Sequence, residues 1–136
     1  MTEKELLLKA VEARDFAYAP YSNHKVGAAL LGKSGKVYTG CNVENAAYTP
    51  TNCAERTAIF KAVSEGEREF SAIAIVGGIG DTLSAVCAPC GVCRQVLGEF
   101  CDRDMPIIMG TPEKIVVSTL GELLPLSFGK SDLNKQ

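Results

Sequence analysis

Apolar residues recur at Leu6, Leu7, Ala10, Val11, Ala13, Ala17 and Tyr18, the rhythm of one helix face, and Pro20 stops the run. The spacing predicts a helix over residues 3–18. A loop, Tyr18-Ala19-Pro20-Tyr21-Ser22-Asn23, leads to two short apolar runs, residues 26–31 and 36–43. The tight Gly32-Lys33-Ser34-Gly35 connection between them predicts a hairpin. After a loop through Pro50, residues 53–64 return to helical spacing, with Thr51 or Asn52 as N-cap candidates and Gly66 near the end.

Residues 70–76 form a mostly apolar strand closed by Gly77-Gly78. Pro89 precedes a second helix over residues 90–101. Residues 106–109 and 115–118 predict two further strands, and residues 119–124 a short last helix ended by Pro125. The order α-β-β-α-β-α-β-β-α, without repeat or linker, predicts an α/β fold of three layers, α-β-α, around a mixed five-stranded sheet. At 136 residues the chain is expected to be a single domain, 1–136.

Composition narrows the partners. With 46% apolar and 22% charged residues the chain suits a globular fold, and a net charge of −2 without basic clusters argues against a nucleic-acid polymer. A small neutral ligand fits better. Nothing approaches the apolar run of about 20 residues that a membrane span needs, and the N-terminal stretch lacks a signal-peptide pattern. The expected location is the cytoplasm, where six cysteines suit metal binding or burial better than disulfides.

Four cysteines carry candidate chemistry: Cys53, Cys87, Cys90 and Cys93. Cys90 and Cys93 stand three apart at a helix start, so both sulfurs can share one face, and the positive end of the helix favours thiolates. Cys53 opens the other helix. Three thiolates from two helix N-termini make three corners of a tetrahedral zinc site and leave the fourth for water. Glu55, two residues after Cys53, can sit beside that metal without binding it and act as a proton carrier. Arg56 and Arg94 flank the ligands, where a guanidinium on sulfur would offset the formal charge of the centre.

Cys87 opens two rival readings. The Cys87-x2-Cys90-x2-Cys93 spacing imitates the start of an iron–sulfur motif, with Cys53 as fourth ligand, or a closed four-cysteine structural zinc site. The cluster motif lacks its usual downstream Cys-Pro, and Pro89 separates Cys87 from the helix that carries the other two. Cys41 and Cys101 lie in apolar runs and are expected to be buried thiols. The combination Cys53-Ala54-Glu55 and Pro89-Cys90-x-x-Cys93, split by a βα unit, is the layout of zinc-dependent nucleobase deaminases.

The chain resembles the small homotetrameric cytidine deaminases of pyrimidine salvage over nearly its whole length. The passages that carry the likeness include Ala19-Pro20-Tyr21-Ser22, Val26-Gly27-Ala28-Ala29-Leu30-Leu31, Gly40-Cys41-Asn42-Val43-Glu44-Asn45-Ala46-Ala47-Tyr48 and Asn52-Cys53-Ala54-Glu55-Arg56-Thr57-Ala58. Pro89-Cys90-Gly91-Val92-Cys93-Arg94-Gln95-Val96 and the tail Glu122-Leu123-Leu124-Pro125-Leu126-Ser127-Phe128 match as well.

The resemblance implies hydrolysis of free cytidine and deoxycytidine to uridine and deoxyuridine with release of ammonia. It implies one zinc per subunit on Cys53, Cys90 and Cys93, and Glu55 as the proton shuttle. Asn42 and Glu44 would hold the ribose 3′-hydroxyl, with Val43 between them in the substrate-binding stretch. Ala46 and Tyr48 would reach a neighbouring subunit's site, and Phe128 would close over the base. Arg56 would bond the thiolates, and Gln95 would give structural support. The implied assembly is a homotetramer with active sites shared between subunits. One position departs from the pattern: His24 stands where the family has a phenylalanine in the pyrimidine pocket, adding a polar group to base recognition.

Overall fold

The computed structural model describes residues 1–133. Helix α1 (Glu3–Arg14) is opened by a capping box: Thr2 accepts from the Glu5 amide while the Glu5 side chain accepts from the Thr2 amide. Strands β1 (His24–Gly32) and β2 (Val37–Cys41) form the expected antiparallel hairpin. Helix α2 (Ala54–Ser64), strand β3 (Phe70–Ile79) and helix α3 (Gly91–Phe100) follow. Strands β4 (Pro106–Thr111) and β5 (Lys114–Thr119) and the single turns α4 (Leu120–Leu123) and α5 (Lys130–Leu133) come last.

The sheet runs β2-β1-β3-β4-β5. The β3–β4 pair is parallel, as a crossover through α3 requires, and the other three pairs are antiparallel. The predicted mixed five-stranded, three-layer arrangement is therefore the one observed. Side chains alternate across the sheet with period two. Leu30, Ile73, Ile75 and Ile107 face Ala58, Ile59 and Leu97 of α2 and α3. Ala29, Ala74, Val76 and Ile108 face Leu6, Leu7 and Ala10 of α1. Both faces are covered, which is why β3 is a continuous apolar run rather than an alternating one. At Gly40 of β2 a Cβ would stand 2.5 Å from the Ala54 carbonyl oxygen, so the absence of a side chain lets the start of α2 lie against the strand.

Several element bounds differ from the sequence prediction: β1 starts at His24, β4 runs on to Thr111, the turn α5 is not predicted, and the ends of α1, β2 and β3 have traceable causes. Helix α1 ends at Arg14 rather than Tyr18, because the Tyr18 main chain bonds the Asn42 carbonyl and the Glu44 amide. That pairing, with the Val43–Asn52 bridge, also draws the chain out of β2 after Cys41. Strand β3 does not close at Gly77-Gly78; it continues to Ile79 because β1 begins two residues early and pairs His24 with Ile79.

Candidate metal centre and active site

Helices α2 and α3 both start on a cysteine. Cys53 is the N-cap of α2 (φ −79°, ψ 157°) and Cys90 that of α3 (φ −68°, ψ 168°), and neither makes a side-chain capping bond. The cap is thus Cys53 itself and neither Thr51 nor Asn52; the Asn52 side-chain amide instead donates to the Thr57 hydroxyl at 3.1 Å. Freed from capping, the two sulfurs turn toward each other and toward Cys93, one turn into α3. All three lie within 4.8 Å of one another, with Cys53 and Cys90 3.7 Å apart.

These residues fit zinc. Zn–S bonds of about 2.3 Å in a tetrahedron place sulfurs about 3.8 Å apart, close to the observed separation. Their electrostatics also call for a cation. Hydrogen bonding between Cys53 and Cys93 pulls the Cys53 thiol down to about 5 and pushes the Cys93 thiol up, since one proton is shared where three thiolates would repel. A divalent ion removes that conflict.

Glu55, in the first turn of α2, is 4% exposed, and burial raises its pKa to about 7. It can therefore hold or release a proton near neutrality. The Arg56 Nη2 donates to the Cys53 sulfur at 3.2 Å, a bond that raises the guanidinium pKa further. The buried Arg56 Nε has no hydrogen-bond partner among the described residues. Arg94 takes a different role from the one expected of a flanking cation. It donates to the carbonyls of Pro89 (2.7 Å) and Leu123 (2.9 Å), not to sulfur.

Cys87 lies apart from the three-sulfur cluster and lines the cavity beside it; burial pushes its thiol up to about 11. Cys41 and Cys101 are half-buried rather than buried, Cys101 at the C-cap of α3 with its thiol pushed up to about 12 by burial.

A cavity of about 290 Å³ opens directly onto this cluster. Cys53, Glu55, Cys87 and Cys90 line it together with Ser22, His24, Val26, Asn42 and Glu44. Asn42 is buried and pins the start of β1: it accepts from the Val26 amide (2.9 Å) and donates to the His24 carbonyl (2.8 Å). The Glu44 carboxylate accepts from the Ser22 hydroxyl and from the amides of Tyr21 and Ser22; these bonds, the hydroxyl first, lower its pKa. Sequence reasoning missed Ser22 as a site residue. A loop hydroxyl twenty-two residues from its carboxylate partner has no local signature.

The remaining candidates lie elsewhere. Tyr48 borders a second cavity of about 400 Å³ that shares Ser22, Glu44 and Thr51 with the first. Val43 and Ala46 are exposed and line neither cavity. Phe128 is also exposed and outside both, while its carbonyl accepts from Gln95 at 2.9 Å, the supporting role expected of Gln95.

Three sulfurs at paired helix starts, a buried carboxylate and a polar-walled cavity define a metal-assisted hydrolytic site on an α-β-α fold. The family model for the cytidine and deoxycytidylate deaminase zinc-binding region matches residues 1–109. The cytidine deaminase of Sporosarcina psychrophila is 50% identical over 135 residues, covering 98% of this chain and 96% of that protein. That of Halalkalibacterium halodurans is also 50% identical, covering 98% and 99%. The crystal structure of cytidine deaminase from Burkholderia pseudomallei superposes with a TM-score of 0.86 at 47% identity, covering 94% of this chain and 100% of that one. The chain belongs to the cytidine and deoxycytidylate deaminase family.

Proposed function

We propose that this protein deaminates free cytidine and deoxycytidine hydrolytically: water adds, and uridine or deoxyuridine and ammonia leave. The observation that carries the reading is the buried Glu55 carboxylate beside the Cys53–Cys90–Cys93 cluster, in the lining of the cavity. Cys53, Cys90 and Cys93 would hold one zinc per subunit, and the metal supplies the Lewis acidity that acidifies water in the site. Glu55 takes one proton of the attacking water and gives it to the ring nitrogen next to the C4 carbon; it then takes the remaining proton from the new C4 hydroxyl and delivers it to the amine, which leaves as ammonia while the C4 carbonyl forms. A carboxyl raised to about 7 is matched to both halves of that cycle. Arg56, bonded to the Cys53 sulfur, balances the negative charge of three thiolates.

Asn42 and Glu44 orient the ribose, with Glu44 held as a carboxylate by Ser22 and its neighbouring amides. Val43, Ala46, Tyr48 and Phe128 complete the substrate-binding set through a homotetramer that shares its sites. In support, Phe16, Tyr48, Leu126 and Phe128 are all more than 60% exposed, and Tyr48 and Leu126 hold positive φ, a costly backbone for exposed apolar residues. The protein acts as one domain over residues 1–136, in the cytoplasm; among the described residues no helix is long and apolar enough to cross a membrane.

The deciding experiment is a turnover panel on purified zinc-loaded protein with cytidine, deoxycytidine, adenosine and free cytosine. Ammonia release from the first two alone is expected. Equal turnover of free cytosine would remove the ribose-recognition role of Asn42 and Glu44, and inactivity on both nucleosides would refute the substrate class.

A further inference from the structure

A buried cation joins parts of the cavity lining from the opposite layer of the fold. Arg14 stands in the last turn of α1, across the sheet from α2 and α3, and is 7% exposed. Its Nε donates to the Lys25 carbonyl at 2.9 Å. Its Nη2 reaches three more main-chain carbonyls, Gly78 at 2.9 Å, Gly80 at 2.6 Å and Thr82 at 3.1 Å. One guanidinium therefore ties the start of β1, the end of β3 and the loop beyond it. The two Nη2 hydrogens are shared among three carbonyls while Nε, held in the same plane, reaches Lys25; a lysine has a single nitrogen and cannot make both sets of bonds.

That loop lies against the strand it has just left. A Cβ on Gly78 would come within 2.0 Å of the Thr82 carbonyl oxygen and 2.9 Å of the Ser84 nitrogen, and a Cβ on Gly77 within 2.6 Å of the Cys87 sulfur. The Ser84 amide donates to the Gly77 carbonyl at 2.8 Å. Residues 80–90 then carry Cys87 and Ala88 into the cavity lining and end at Cys90. His24 and Val26, the neighbours of Lys25 in β1, line the same cavity. Arg94 secures the far end of the loop through Pro89.

We propose that Arg14 is a positioning residue for substrate: by clamping residues 78–82 to Lys25 it fixes how the segment that carries Cys87 and Ala88 sits relative to His24 and Val26 in the cavity lining. The inference rests on the deaminase reading above for the identity of the substrate, and on geometry alone for the clamp. The four acceptors of Arg14 are all main-chain carbonyls, none of them on a zinc ligand or on Glu55, and the ligands sit on helix starts held by other contacts. Loosening the clamp therefore weakens substrate binding and leaves the metal and the chemical step in place.

The test uses the zinc-loaded protein with Arg14→Lys, and Gly78→Ala, which keeps the guanidinium but pushes Thr82 off the strand. For each, KM and kcat for cytidine, zinc content and amide hydrogen exchange of residues 80–88 are measured. The expected result is a KM raised about tenfold with kcat within about threefold, one zinc per subunit and faster exchange in residues 80–88, with the double variant no worse than the stronger single one, because both act through one loop. The proposal is overturned if folded Arg14→Lys leaves KM or the exchange unchanged, or lowers kcat alone. Should Arg14→Lys fail to fold, Gly78→Ala decides the matter by the same readouts. Wild-type protein that binds zinc and turns over no cytidine would refute the deaminase reading, while unchanged exchange in residues 80–88 of Arg14→Lys would refute the clamp whatever the substrate.

Discussion

The two helix starts that meet at the sulfur cluster are alike in backbone and unlike in support. Cys53 and Cys90 take the same extended N-cap conformation, but α2 is packed from its first residue. Ala54, Glu55, Ala58, Ile59 and Ala62 are all buried in α2, and the approach to it is pinned by the Val43–Asn52 bridge. In α3 only Cys93 and Leu97 are buried; Cys90 and Val92 are exposed, and the approach is the irregular stretch 80–90. The proposed roles divide the same way: Glu55, assigned the protons, is buried and Arg56, assigned the charge, is half-buried in α2, whereas the two cysteines proposed as ligands in α3 are reached through a loop.

This division is challenged most forcefully at the ligands. Cys93→Ala should abolish zinc retention and reduce cytidine turnover to background, measured by metal content and ammonia release, because the removed sulfur is the buried one. Next in size, Glu55→Gln should retain one zinc per subunit and the fold yet lose about 10³–10⁴ in kcat, at the upper end for a general acid–base group. Loss of zinc in that variant would show that the two halves are not separable. Stability separates the two helices as well. Ile59→Ala in α2 should cost about 2–5 kcal/mol, and Val92→Ala in α3 should stay within about 0.5 kcal/mol, by chemical denaturation.

The smallest effect concerns the cavity lining. Ser22→Ala removes the hydroxyl that most lowers the Glu44 pKa, so the Glu44 titration followed by carboxyl NMR should move up. The sign follows from linkage. A carboxylate whose folded pKa lies below its unfolded value of 4.5 adds stability above that value and loses it as pH falls through the lower one, so the variant should lose only that increment. A change that appears only on the alkaline side of neutrality would point to another group.

Much of this site was legible because its logic is local. Cys53 and Glu55 stand two apart, Cys90 and Cys93 three apart, and helical geometry converts those spacings directly into a shared neighbourhood. The sheet was legible from apolar runs for the same reason. What escaped depends on partners far along the chain. Arg14 reads as one more charged residue of an amphipathic helix, since three of its four bonds reach acceptors 64 to 68 residues away. The early end of α1 and the length of β3 are likewise set by long-range pairing with residues 42–44 and with His24. Ser22 and the double main-chain bond of Asn42 belong to that class. Arg94 shows the converse error: adjacency to a ligand suggested contact with sulfur, but the side chain turns to carbonyls instead.

The 3.7 Å approach of Cys53 and Cys90 joins positions 37 residues apart. Bringing the ends of a free chain of that length together costs about 3 kcal/mol in loop-closure entropy. Here the closure has already been made by β3, which runs between the two helices and is hydrogen-bonded on both sides. The span between the two cysteines is thus closed by the pairing of the sheet, through residues that are not themselves among the three sulfurs.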